Sequence, residues 1–293
     1  MRGRVTTGRV RRHRSRGWLL AVPALLWLLL FYGIPLVNQL NVSLMDGDAA
    51  RGYEGAWAFS TYWDALVDYR AQFLRSIAFA AAATLIDFAL AFPFAYFLAF
   101  KARRSKGVLL ALAVLPFFVS YVLRTVAWQQ ILADNGWVVE TLRAVGLVAD
   151  DGRVLATNAA VIAGIAYNFL PFMLLPLYVA LTKIDRRLIE AATDLHASRA
   201  TAFRTVTLPL ALPGIFAGTL LCFIPACGDY VNAALLGTPK QYMIGNVIQS
   251  KFLNVLDYPT AAALSFILML FILLGIALYT RLLGARTLTE AAV

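Results

Sequence analysis

Apolar runs long enough to cross roughly 30 Å of hydrocarbon, which takes about 20 helical residues, recur near 18–40, 72–100, 107–132, 158–182, 210–232 and 259–283, with polar segments between them. Backbone amides in lipid must be satisfied within their own segment, so runs of this length predict helices; a β-barrel would need shorter, strictly alternating segments. The chain therefore reads as an all-α membrane protein with six transmembrane helices. Phe59 to Tyr69 and Gly136 to Leu147 carry apolar residues at helical spacing and predict short surface helices, with Trp57, Trp63 and Trp137 suited to a water–lipid boundary. No external loop exceeds about 35 residues, too few for a ligand-capturing domain. A receptor must be another protein.

Composition agrees: of 293 residues 61% are hydrophobic and only 14% charged, with a mean hydropathy of +0.72. A formal charge of +10 would suggest nucleic acid in a soluble protein, but in a membrane protein its location matters more than its sum. Arg2, Arg4, Arg9, Arg11, Arg12, Arg14 and Arg16 precede the first span, Lys101, Arg103, Arg104 and Lys106 follow the second, Lys183, Arg186, Arg187, Arg199 and Arg204 follow the fourth, and Arg281 and Arg286 close the chain. The positive-inside rule puts all of these, and both termini, in the cytoplasm. Acids gather in the opposite loops at Asp46, Asp48, Glu54, Asp64, Asp68, Asp134, Glu140, Asp150 and Asp151. The division is a basic tail (1–17), a six-span domain (18–283) with a cytoplasmic loop at 183–209, and a second tail (284–293). Trp18 to Leu40 is longer than a signal-peptide core and no A-x-A-like site follows it. The short arginine tail reads as a topology anchor beside anionic lipid, not a nucleic-acid arm. Cys222 and Cys227 match no metal or redox spacing and read as packing residues. Only His13 and His196 exist, both cytoplasmic, so a membrane-embedded enzyme and a metal site find no ligand set here.

The loop at 183–209 is amphipathic. Leu188, Ala191, Ala192 and Leu195 share one helical stripe, while Arg186, Glu190 and Asp194 form the polar side. Ser198 suits the N-cap of a second short helix carrying Phe203, which is expected to end where Pro209 interrupts it. The pattern resembles the EAA loop of permease subunits in ATP-binding-cassette importers: Glu190-Ala191-Ala192, then Val206 and Leu208-Pro209, fall at that family's positions, with His196 in the place of the usual glycine. The resemblance implies the type I importer (MetI-like) permease fold and a coupling helix seated on a separate ATPase, with Glu190, Ala191, Ala192, Asp194, Leu195, His196 and Phe203 at or near the contact. Read by itself, the stretch is an interfacial helix with a solvated charge. A left-handed His196 would cost about 1 kcal/mol relative to glycine.

Leu115-Pro116-Phe117, Arg124-Thr125-Val126-Ala127-Trp128 and Asp134-Asn135-Gly136 resemble polyamine (spermidine/putrescine) permeases. So do Gly228-Asp229-Tyr230-Val231, Leu235-Leu236-Gly237 and Met243 to Gln249, and the likeness covers roughly residues 18–283. It implies a bacterial inner-membrane subunit partnered by two ATPase copies, a second six-span permease of different sequence, and an extracytoplasmic binding protein. No cofactor belongs to this chain: it lacks a P-loop, so ATP and Mg fall to the ATPase. Permeases for iron(III), sulfate, sugars or amino acid derivatives share much of this frame, and an ion-coupled secondary transporter, which would show internal repeats, is the more distant alternative. Asp229, Tyr230, Asp87, Trp128 and Tyr121 are candidates for the solute path. Asp229, after Pro225 and Gly228, reads equally as a ligand for an ammonium group or as a helix-end carboxylate held by neighbouring amides. Asp87 suits a buried pairing, and Arg124 suits snorkelling or a bridge to an acid. Gly214 with Gly218, and Ala160 with Gly164, form small-residue faces suited to a sister permease or to contact within the chain.

Overall fold

A computed structural model describes residues 21–102, 104–149 and 151–281; the tails at 1–17 and 284–293, Arg103 and Asp150 lie outside the described residues. Among the described residues five helices are long and apolar enough to cross a membrane: α1 (Val22–Ser43), α3 (Arg70–Phe100), α7 (Asn158–Thr182), α9 (Arg199–Cys227) and α12 (Tyr258–Tyr279). The expected third span is not one straight helix. Lys106–Phe118 (α4) and Tyr121–Ile131 (α5) meet at 96°, because the helix tightens to a 3-10 turn over Leu115–Phe118 around Pro116 and the chain then runs extended through Val119 and Ser120. The count is five, or six with the bent pair taken as one.

Three short helices join these: α2 (Ser60–Asp68), α6 (Trp137–Ala144) and α8 (Arg186–Asp194). The first two are the predicted surface helices, and Trp57, Trp63 and Trp137 are exposed. A small antiparallel hairpin of β1 (Met45–Asp48) and β2 (Gly52–Gly55) is an exception to the all-α expectation. Its turn is held by Asp48, whose carboxylate accepts from the amides of Ala50 and Arg51. Gly47, at φ +133°, leaves no room for a Cβ, which would fall 2.1 Å from the Gly52 carbonyl oxygen.

Proline does not end the helix at Pro209 as expected. α9 runs unbroken from Arg199 because a π turn over Phe203–Thr207, closed by Leu208 N–H to the Phe203 carbonyl, takes up the misfit one residue ahead of the proline. The same device stands in α1, where a π turn over Leu29–Gly33 precedes Pro35. The far end of α9 also differs from expectation: the helix stops at Cys227, and a separate short helix α10 (Val231–Leu236) follows. Beyond it lies α11 (Ile244–Ser250), before α12.

The core is built by α3, α7 and α9. A Cβ on Gly214 would lie 2.4 Å from Ala180, and one on Gly218 would lie 2.7 Å from the Met173 sulfur. One on Gly164 would meet Leu236 at 2.3 Å. The small-residue faces are thus consumed inside this chain, and Cys222 and Cys227 pack in its core. Opposite ends of the roughly 45 Å long α3 are marked by distinct contacts. Phe73 clusters with Ala65, Ile244 and Leu264, whereas the Arg186 guanidinium donates to the carbonyls of Ala99 and Phe100 at 3.1 and 3.0 Å. The latter contact brings the loop after α3 and the segment at 183–209 to one end.

Candidate functional site

Two places concentrate chemistry. At the Arg186 end, Asp185 caps α8 by accepting from Arg187 N–H at 3.0 Å. The helix closes in a Schellman turn: His196 N–H donates to Thr193 O and Ala197 N–H to Ala192 O, both at 3.0 Å, with His196 at φ +65°. Ser198 then accepts from Thr201 N–H at 3.1 Å and starts α9. Phe203 is half-buried between Phe92 and Tyr96 at centroid distances of 5.8 and 6.0 Å, so it anchors the element and is not part of the outer face. Ile189 packs inward as well. The outer face is the predicted stripe: Leu188 is 49% and Leu195 83% exposed, Ala191 is exposed and Ala192 half-buried, flanked by exposed Glu190 and Asp194. An exposed leucine on a rigidly capped helix, next to small residues, is a surface that another protein can cover.

The second place lies deep in the bundle, where α9 stops and α10 begins, level with the middle of α7. Asp229 is 6% exposed. Its Oδ1 accepts from Asn232 N–H at 2.9 Å, which caps α10, and its Oδ2 accepts from Asn232 Nδ2 at 2.6 Å and from the Tyr121 hydroxyl. Asn232 Nδ2 also donates to the Tyr121 oxygen at 2.6 Å. The network continues from Asn232 Oδ1, which accepts from Asn168 Nδ2 at 3.2 Å and Thr125 Oγ1 at 3.3 Å, while Asn168 Nδ2 reaches Thr125 Oγ1 at 3.1 Å. Four elements, α5, α7, α10 and the turn at Asp229, are tied by side chains that would be costly to leave unpaired in lipid. The turn is also pinned from behind: Asn246 Nδ2 donates to the Tyr230 carbonyl at 2.7 Å, and Gly245 sits so close to Gly228 that a Cβ would meet its carbonyl oxygen at 2.4 Å.

Of the five path candidates, Tyr121 and Asp229 come together and Tyr230 adjoins them with its side chain exposed. The other two do not join. Trp128 packs on Tyr167 at 5.3 Å within the core. Asp87 is buried in α3 beside Cys222, and among the described residues neither carboxylate oxygen has a hydrogen bond of normal geometry. Of the two readings of Asp229, the geometry is that of the helix-end carboxylate held by neighbouring donors. Of the two readings of Arg124, a bridge to an acid is not seen among the described residues; its guanidinium lies over the Phe117 ring at 4.2 Å, with Tyr121 and Tyr167 each at 5.9 Å. Asn168, Asn232 and Thr125 escaped the sequence reading. Their only signal was polarity inside apolar runs, with Asn232 three residues after Asp229. Among the described residues no three His, Cys, Asp or Glu side chains converge.

Residues 18–286 match the family described as binding-protein-dependent transport system inner membrane component. The spermidine/putrescine transport system permease protein PotB of Escherichia coli (strain K12) is 36% identical over 257 residues, 87% of this chain and 93% of that protein. Its counterpart in Haemophilus influenzae is 37% identical over 256 residues, covering 87% and 90%. The inner membrane ABC transporter permease protein YdcU of E. coli is 34% identical over 226 residues, covering 71% and 70%. Among solved structures, a bacterial ABC transporter involved in the import of the acidic polysaccharide alginate superposes with a TM-score of 0.65 at 20% identity, over 92% of this chain and 96% of that one. At that identity the likeness shows the fold alone.

Proposed function

The chain belongs to the family of binding-protein-dependent transport system inner membrane components, and we propose that, as a permease subunit of an ATP-binding-cassette importer, it conducts polyamines of the spermidine and putrescine type. The observation that carries the cargo is the 36% identity to a spermidine/putrescine permease over nearly the full length of both chains. In this reading the five long helices and the bent pair make six spans in the bacterial inner membrane, with both termini cytoplasmic. The positive-inside rule supports that orientation, and so does the meeting of two basic loops at the Arg186 end of α3.

The element from α8 into the start of α9 is then the coupling contact. Glu190, Ala191, Ala192, Asp194 and Leu195 face one of two ATPase copies, which bind ATP and Mg, while the other copy serves a second permease of different sequence. Phe203 holds the element to α3, so that movement of the ATPase is passed to the spans as a rigid displacement. A separate extracytoplasmic protein delivers the cargo. Along the path, exposed Tyr230 is the group positioned to touch a passing ammonium, and Asp229 and Tyr121 hold the turn that presents it. Trp128 serves packing.

Uptake of labelled spermidine by cells deleted for this chain, with and without the restored gene, tests the proposal. Restored uptake that unlabelled putrescine suppresses and sulfate does not is the expected result. Restoration of sulfate or iron(III) uptake instead would reassign the cargo.

A further inference from the structure

Along the edge of α8 that carries Ile189, Glu190 and Thr193, beside its exposed stripe, a cavity of about 530 Å³ opens between the end of α3, α8 and the first turns of α9. Its polar wall carries Lys101, Glu190, Thr193 and Arg199, and its floor is the ring pair Tyr96 and Phe203. The two cations come from different elements: Lys101 is the residue that follows α3, and Arg199 is the first of α9. Neither has an ion-pair partner among the described residues. The ion pairs within 4 Å among the described residues are Arg51 with Asp48, Arg153 with Asp134 and Lys251 with Asp257, so Glu190 bridges neither cation although all three line the same space. Two positive groups and one negative in a walled recess leave a net positive field that low-dielectric walls concentrate.

The chemistry selects the ligand. An ammonium offers a point charge and a guanidinium a planar fork, a combination that suits a phosphate group. The place selects it too. Lys101 stands where α3 leaves the apolar layer, the level at which anionic headgroups lie, and the aromatic floor continues toward the span and suits the glycerol end of a lipid. We infer that this cavity is a phosphate site that takes the headgroup of an anionic phospholipid and holds it between the end of α3 and α8. The inference rests on reading this end as the membrane's cytoplasmic surface, but not on the cargo.

Native mass spectrometry of the intact importer complex, titrated with phosphatidylglycerol, tests it. The variant Lys101→Gln/Arg199→Gln is compared with Lys183→Gln/Arg187→Gln, which removes the same charge from the same end outside the cavity. The expected result is one phosphatidylglycerol retained by the wild type and by the control, with affinity lowered about tenfold or more in Lys101→Gln/Arg199→Gln, the scale expected for two basic contacts at an anionic surface. A parallel calorimetric titration with inorganic phosphate separates the sources. Phosphate binding that the Lys101→Gln/Arg199→Gln pair abolishes, without lipid retention, keeps the phosphate site and moves its supply to solution. Equal loss in both variants, or binding of neither probe, overturns the site. Failure of spermidine uptake would leave the lipid count unchanged, so the two readings fail separately.

Discussion

Asp229 is an acid in an apolar run whose carboxylate is already taken by the Tyr121 hydroxyl and by two donors of Asn232. Tyr121→Phe removes one donor from a buried acceptor and is expected to destabilise the folded chain by about 1–3 kcal/mol, read as a lower unfolding temperature in detergent. Asp229→Asn turns part of the acceptor into a donor facing other donors, so stability and spermidine uptake should fall together. Lost uptake with unchanged stability would return Asp229 to direct contact with the cargo. His196 is the converse case, a residue whose conformation was legible from its place in the motif. At φ +65° it carries strain that glycine lacks, and His196→Gly should raise stability by about 1 kcal/mol while uptake persists. Loss of uptake would mean that the imidazole itself meets the ATPase.

At the scale of elements, glycines with and without neighbours make a controlled pair. Gly164→Ala drives a Cβ to 2.3 Å from Leu236 and 2.8 Å from the Asn232 side chain, and should cost about 1–3 kcal/mol. Gly275→Ala in α12 meets nothing within 4 Å and should fold as well as the wild type; thermal melts compare them. Asp257 caps α12 through Thr260 N–H and pairs with Lys251 at 2.9 Å. Burial alone would raise its carboxyl, but the bonds from Lys251 and Thr260 outweigh that and hold it below the ordinary range. The pair's contribution, roughly 0.2–1 kcal/mol, is therefore present above about pH 4 and is lost as pH falls through the folded value. Asp257→Asn should remove that pH dependence and keep part of the cap, whereas Asp257→Ala should lose both. The sequence disclosed where helices lie but not how prolines would be absorbed. Pro209 reads as a stop, and the π turn before it depends on spreading one extra residue over Phe203–Thr207, which no residue type announces. The 96° bend after Phe118 was hidden for a similar reason: both halves are apolar, and hydropathy is blind to direction.

For the molecule as a whole, the all-α bundle and the exposed stripe of α8 could be read early, because periodicity and capping are local. The Asp229 network could not, since Tyr121, Asn168 and Asn232 meet only when α5, α7 and α10 are packed. The proposed role is that a rigid element at one end transmits an ATPase's movement to spans that conduct a polycation. The most direct test is ATP-driven accumulation of labelled spermidine in proteoliposomes holding the reconstituted importer and its binding protein, for the wild type and for Glu190→Lys. Accumulation by the wild type is expected, with a variant that inserts normally yet hydrolyses ATP without accumulating spermidine. Normal accumulation by Glu190→Lys, or none by the wild type, would contradict it.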